Sequence, residues 1–180
     1  MKKTVHKWFW IWEFEKEEKW LAKMSAQGWH LTSVGYCRYE FEQGTPNEYA
    51  VRLEMLNEQP SSAGSQQYIR FVEETGAEYI GHVLKWVYFR KKTSKGGFDL
   101  YSDIDSRIRH LKRILALLVP LCLFNGANAV NQLLQLASSG SSAFIFTAIL
   151  CFGVTGLLLY GILRLSAMKK RLEKERLLHE

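Results

Sequence analysis

Apolar and polar positions alternate in short runs as far as Leu100, and beyond it the pattern changes. Ile114–Leu136 and Phe144–Leu163 are apolar stretches of roughly 20 residues, the length that crosses a bilayer as a helix, and nearly all the charge lies outside them. Ala137–Ala143 between them is short and uncharged, which predicts a tight helical hairpin.

Upstream, Val5–Trp12 is a run of aromatic and β-branched residues, which predicts a strand. Over Glu15–Gln27 the period becomes helical, with Trp20, Leu21 and Met24 on one face, acidic residues in the first turn and Gly28 placed as the stop. Trp29–Gln43 and Glu48–Leu56 read as strands separated by a turn, Gly44-Thr45-Pro46-Asn47, and are expected to pair as a hairpin. Setting Glu40 opposite Arg52 also sets Arg38 opposite Glu54 on one side. The other side then holds Phe41 with Val51, Tyr39 with Leu53, and Cys37 with Met55. This register predicts one apolar face covered by helices and one open, charged face.

After Pro60–Ser65, Tyr68, Phe71 and Val72 recur at helical spacing up to Gly76. Glu78–Leu84 and Trp86–Lys91 then suggest a further hairpin whose last strand lies at an edge. The helix-glycine-strand pattern thus occurs twice, Gly28 to Phe41 matching Gly76 to Phe89 in length. The expected class is α+β. A ferredoxin-like βαββαβ domain with a short extra C-terminal edge strand occupies 1–92, and a linker occupies 93–102. A transmembrane helical hairpin follows over 103–167, its first helix starting amphipathically from Ser102 or Asp103, and a charged helical tail closes the chain over 168–180.

Charge orients this arrangement. Arg107, Arg109, Lys112 and Arg113 precede the first span, and Arg164, Lys169, Lys170, Arg171, Lys174 and Arg176 follow the second, which predicts both termini on the cytoplasmic side of the cell membrane. Much of the formal charge of +6 sits in these clusters, where anionic headgroups answer it without a nucleic acid. The mean hydropathy of −0.15 averages a polar first half with an apolar second half. Trp8–Trp12 is soon interrupted by Glu13, Glu15, Glu17 and Glu18, so the opening does not read as a secretory signal peptide. Cys37, Cys122 and Cys151 are odd in number and widely separated, which suggests neither a disulfide framework nor a metal knuckle and fits a reducing compartment.

Several segments together resemble a bacterial membrane-protein family of unknown function, of the domain of unknown function 2812 type. They are Glu18-Lys19-Trp20-Leu21, Gly28-Trp29-His30-Leu31, Tyr49-Ala50-Val51-Arg52-Leu53, and Trp86-Val87-Tyr88-Phe89-Arg90-Lys91 followed by Leu100-Tyr101-Ser102-Asp103. The resemblance covers the soluble part and the approach to the first span, and departs at Ala77, where the family more often has an aromatic. It implies a neighbourhood of PadR-type transcriptional regulators and a regulatory role, and it carries over no catalytic residues.

The residues themselves suggest binding rather than chemistry. On a strand, Trp8, Trp10 and Trp12 would share one face, and beside Arg38 and Arg52 they would form an aromatic platform able to stack a ligand, a peptide or a base; packing under a helix is the structural alternative. Glu40 and Glu54 among the arginines, with no Arg-Gly-Phe-type signature, argue against an RNA-recognition sheet. His6, His30, His82, His110 and His179 show no paired spacing, so no metal site is predicted. Hydrolase elbows, phosphate-cradling glycine loops and metalloprotease helices do not occur, and the acidic run from Glu13 to Glu18 is answered by the helix dipole. No cofactor is expected. Inside the first span, Asn125, Asn128, Gln132 and Gln135 form a polar seam that needs a partner, within the hairpin or in a second copy. Thr147, Thr155, Gly153, Gly156 and Gly161 are the expected facing residues. The expectation is a non-catalytic, cytoplasm-facing regulatory or sensory adaptor on a membrane anchor. Its alternative is a small membrane subunit whose hairpin associates with a transporter or with itself.

Overall fold

Gly28 and Gly76 both adopt left-handed backbone, with φ of +79° and +85°. Glycine takes this conformation without the Cβ penalty, and each ends a helix: α1 (Phe14–Ala26) and α2 (Ala63–Glu74). A hairpin follows each glycine, β2 (Trp29–Gly35) with β3 (Arg38–Gln43), and β5 (Glu78–Val83) with β6 (Trp86–Lys92). A strand precedes each helix, β1 (Lys2–His6) and β4 (Tyr49–Met55). The two halves keep the interval that separates Gly28 from Gly76, down to a register irregularity after Leu31 in one and after Tyr79 in the other. The first part of the chain is therefore two successive βαββ modules.

The computed structural model describes residues 1–100, 104–139 and 143–179. The chain divides into two compact units, Met1–Ser102 and Asp103–Glu180. The mixed α+β class expected from sequence is the observed one, but the strand pairing differs. Each module makes its own antiparallel three-stranded sheet, ordered β1-β3-β2 and β4-β6-β5. The expected hairpin between residues 29–43 and 48–56 does not form. Val34-Gly35-Tyr36-Cys37 turns instead, with Cys37 at φ +54°, and β3 pairs with β2 and β1. Gly44–Asn47 carries the chain across to the second sheet, where β4 pairs with β6. Glu40 thus faces Thr4 and Ser33, and Arg52 faces Phe89. β6, expected at an edge, is the central strand of its sheet.

The apolar face is buried as expected, although against different partners. Tyr39, Phe41, Val51 and Leu53 join Leu21 and Met24 of α1, Leu31 of β2 and Tyr88 of β6 in one buried core. A second core sets Ile69 and Val72 of α2 against Val87 and Phe89 of β6, with Leu56, Ala77 and Phe98. Strand β6 is covered on both faces, which explains its continuous apolar run from Trp86 to Phe89. Phe98 and Leu100 belong to this second core, so the stretch expected to be a linker is partly tied to the domain. Strands β2 and β5 lie side by side: Arg90, opposite Glu78, donates through Nη1 to Leu31 O at 2.7 Å, and a Cβ on Gly81 would meet Val34 Cγ2 at 3.2 Å. Both hairpins consequently advance in one direction, and their tips, Tyr36-Cys37 and Leu84-Lys85, fall at one end.

In the second unit, α3 (Ile104–Ser139) and α4 (Ala143–His179) pair as antiparallel helices. Both are long and apolar enough to cross a membrane. At 36 residues α3 is about 54 Å long, well over the ~30 Å of a bilayer's hydrocarbon, so part of each helix continues outside the apolar stretch. There Arg176 pairs with Asp105 at 3.0 Å, and the charged helical tail expected from residue 168 is the continuation of α4. The expected helix start at Ser102–Asp103 and the centre of the loop between the helices, residues 140–142, lie outside the described residues.

Candidate functional site

The three tryptophans at the start of the chain are not on a strand. The chain leaves β1 at His6 and enters a 3-10 turn over Ile11–Glu13, in which Trp10 N–H donates to Glu13 Oε2 and Glu13 N–H to Trp10 O. Aromatic propensity for strands reflects packing on a pleated surface more than a backbone preference, and here the packing is found without the strand. Trp12 is buried and lies parallel to Trp10 at 5.3 Å; Trp10 meets Trp8 edge-on at 5.4 Å, and Trp8 meets Tyr36 at 6.0 Å. The series runs from the interior to the surface. Trp8 is 50% exposed, Trp10 39% and Tyr36 71%, so its outer end is an aromatic patch at the tip of the β2–β3 hairpin. Phe9 points the other way and packs on Trp20 and Tyr39, with Lys7 Nζ over both the Phe9 and Trp20 rings.

Arg38 and Arg52 do not share a surface. Arg38 lies on the open face of the first sheet with Lys2, Thr4, His6, Ser33, Glu40 and Glu42, the positions that alternate with buried Tyr39 and Phe41. That face carries charge of both signs in pairs, Lys2 with Glu42 at 3.3 Å and Arg38 with Glu40. Arg52 is on β4 in the second sheet, half-buried, its positive charge acting on Glu18. The expected platform is therefore split: tryptophans and Tyr36 at one end, Arg38 on an adjoining face, Arg52 elsewhere.

The acidic run at the start of α1 has a role that composition concealed. Phe14, Glu17, Leu21 and Met24 are buried together on one helical stripe, so Glu17 occupies a core position. Its Oε1 accepts from Tyr39 at 2.7 Å and Tyr88 at 2.8 Å, tying α1 to both sheets. Burial raises the Glu17 pKa and the two hydroxyls partly offset it; the same burial and the carboxyl beside them raise both tyrosines. Glu18 Oε1 accepts the Leu53 N–H at 2.9 Å on the outer edge of β4. Burial pushes Glu18 up to about 7, against the Leu53 hydrogen bond and the Arg52 charge. The stripe spacing of Glu17 with Leu21 and Met24 is the signal that could have found it.

Between the long helices, Ile114, Leu118, Cys122 and Ala129 of α3 are all buried, with Gly126 beside Thr155 at 3.7 Å for an added Cβ. The amides flank these residues. Asn125, Asn128 and Gln132 are half-buried and Gln135 is exposed; Thr147 Oγ1 donates to Gln132 Oε1 at 3.2 Å. Thr155 Oγ1 donates to Cys151 O in its own helix, Gly161 is buried, and Gly153 and Gly156 face open space. Gln132 takes part in this seam through Thr147, alongside the small residues Cys122, Gly126 and Ala129.

No curated protein and no solved structure matches the chain. Residues 13–123, more than half of the sequence, match the family described as Protein of unknown function (DUF2812). That match runs from the 3-10 turn through both modules and into the first long helix, so the chain belongs to the DUF2812 family.

Proposed function

We propose that this protein is a membrane-anchored binding module. In this reading α3 and α4 cross the cell membrane as a hairpin, both termini are cytoplasmic, and the paired-module domain acts as a non-catalytic adaptor for a cytosolic regulator, with PadR-type proteins the class the family resemblance suggests. The observation that carries it is the first sheet, where one face is covered by α1 and the other, with Arg38, Glu40, Glu42, Lys2 and His6, is left open beside the exposed edge strand β1. A paired, mixed-sign face of this kind suits reversible protein recognition, in which charge complementarity sets specificity more than affinity. The juxtamembrane Lys and Arg clusters support the orientation.

The test is to purify the full chain in detergent with its bound proteins, beside a Lys2→Glu, Arg38→Glu variant. Specific recovery of a cytosolic protein by the wild type only is expected. Equal recovery by both, or none by either, overturns the adaptor reading. Carbonate extraction and C-terminal reporter fusions test the anchor and its orientation. A second reading, a self-associating membrane subunit, is favoured by Asn131, which is exposed on the surface of α3 within its apolar stretch. Under it, Asn131→Leu abolishes self-association while the first unit stays folded.

A further inference from the structure

We infer that the aromatic end of the first unit is a lipid-headgroup docking surface, a reading that rests on the proposed membrane anchor. Trp8, Trp10 and Tyr36 are joined by ring contacts and exposed, and Leu84, 72% exposed, is at the tip of the neighbouring hairpin at the same end. Soluble monomers seldom leave such a group of large apolar side chains uncovered. Tryptophan and tyrosine, with an apolar body and one polar handle, are the residue types that concentrate at the membrane-water interface.

Charge at this end fits anionic headgroups. Lys7 and Lys85 adjoin Trp8 and Leu84 in the chain, the Lys7 ammonium over the Phe9 and Trp20 rings and the Lys85 ammonium donating to Asn57 O. The pairs Glu13 with Lys16 and Glu40 with Arg38 cancel, so the positive excess at this end is that of Lys7 and Lys85. Proximity makes the contact effectively intramolecular. Leu100 still belongs to the second core of the first unit, and the helix of the first candidate span is described from Ile104, so the domain and the anchor are tethered at short range. Docking would hold the open face of the first sheet at a set orientation to the membrane plane, where an adaptor presents its partner.

Fluorescence isolates this surface. All six tryptophans lie in the first unit, so none of the emission comes from the long helices. The full chain is reconstituted into phosphatidylglycerol-phosphatidylcholine vesicles with a nitroxide near the headgroup or near the bilayer centre, and compared with Trp8→Phe, Trp10→Phe, which removes two emitters and keeps the packing. Expected is about two-fold stronger quenching by the shallow nitroxide than by the deep one, lost in the variant. Vesicle flotation separates the two readings. If the chain floats and wild type and variant are quenched alike or not at all, docking is overturned and the anchor stands. If the chain does not float, both fall. Trp8 and Trp10 quenched by aqueous iodide but not by lipid nitroxide would place the patch in water and overturn lipid docking.

Discussion

Replacing Glu18 by glutamine should change how the stability of the first unit depends on pH. The carboxyl accepts the Leu53 N–H at 2.9 Å, and burial raises its pKa from 4.5 to about 7. Between those values the folded protein holds a proton that the unfolded chain has released. Glu18 therefore makes stability fall as pH rises through this window, with no contribution below it and a constant penalty above it. The displacement sets a ceiling of about 3 kcal/mol, and the partial solvent access of the side chain reduces the expected penalty to about 1–2 kcal/mol. In Glu18→Gln the side-chain amide keeps an acceptor for Leu53 and has no charge to bury. Urea unfolding of the full chain in mild detergent, followed by tryptophan emission, reads the first unit alone because all six tryptophans are in it. The variant should equal wild type within about 0.5 kcal/mol at pH 4.5 and exceed it by about 1–2 kcal/mol at pH 8. Glu17 is raised in the same direction, so a reduced slope remains in the variant. Parallel profiles for the two proteins would refute the assignment.

Other outcomes follow from single contacts. Gly28→Ala, at φ +79° with the new Cβ 2.7 Å from Gly44 O, should cost at least about 1–2 kcal/mol in the same urea assay, while Gly64→Ala, in α2 with open space around it, should gain up to about 1 kcal/mol. Arg90 bonds Leu31 O and Glu78 and lies 4.5 Å from the Tyr49 ring, so Arg90→Lys should lower the urea midpoint by the equivalent of about 1–2 kcal/mol, with no loss disproving the role of this bridge. In the long helices, Ala129→Leu should destabilise the pair by about 1–3 kcal/mol and Gln132→Leu by about 1 kcal/mol, measured as loss of helicity on SDS titration. Gly156→Ala, with nothing within 4 Å, should leave the titration unchanged.

Patterns that depend on one element at a time were legible in the sequence. Period and a glycine stop located α1 and α2, length and apolarity located the two long helices, and alternation placed Tyr39, Phe41, Val51 and Leu53 on the buried side. Even the echo between Gly28–Phe41 and Gly76–Phe89 was visible, because a duplicated module repeats its local geometry. Which strand lies beside which was decided by tertiary structure. The turn residues Gly44–Asn47 suit a hairpin and a crossover alike, and what separates the two is that β3 is filled on both sides by β1 and β2 while β4 finds β6. Tertiary packing also split Arg38 from Arg52, moved Trp8–Trp12 off a strand yet kept the rings together, and drew Glu17 into the core where two tyrosines from different sheets could satisfy it. A sequence states what each residue would bury or expose along its own strand or helix; the partner across the gap is chosen only when non-local surfaces compete for the same hydrogen-bonding edge.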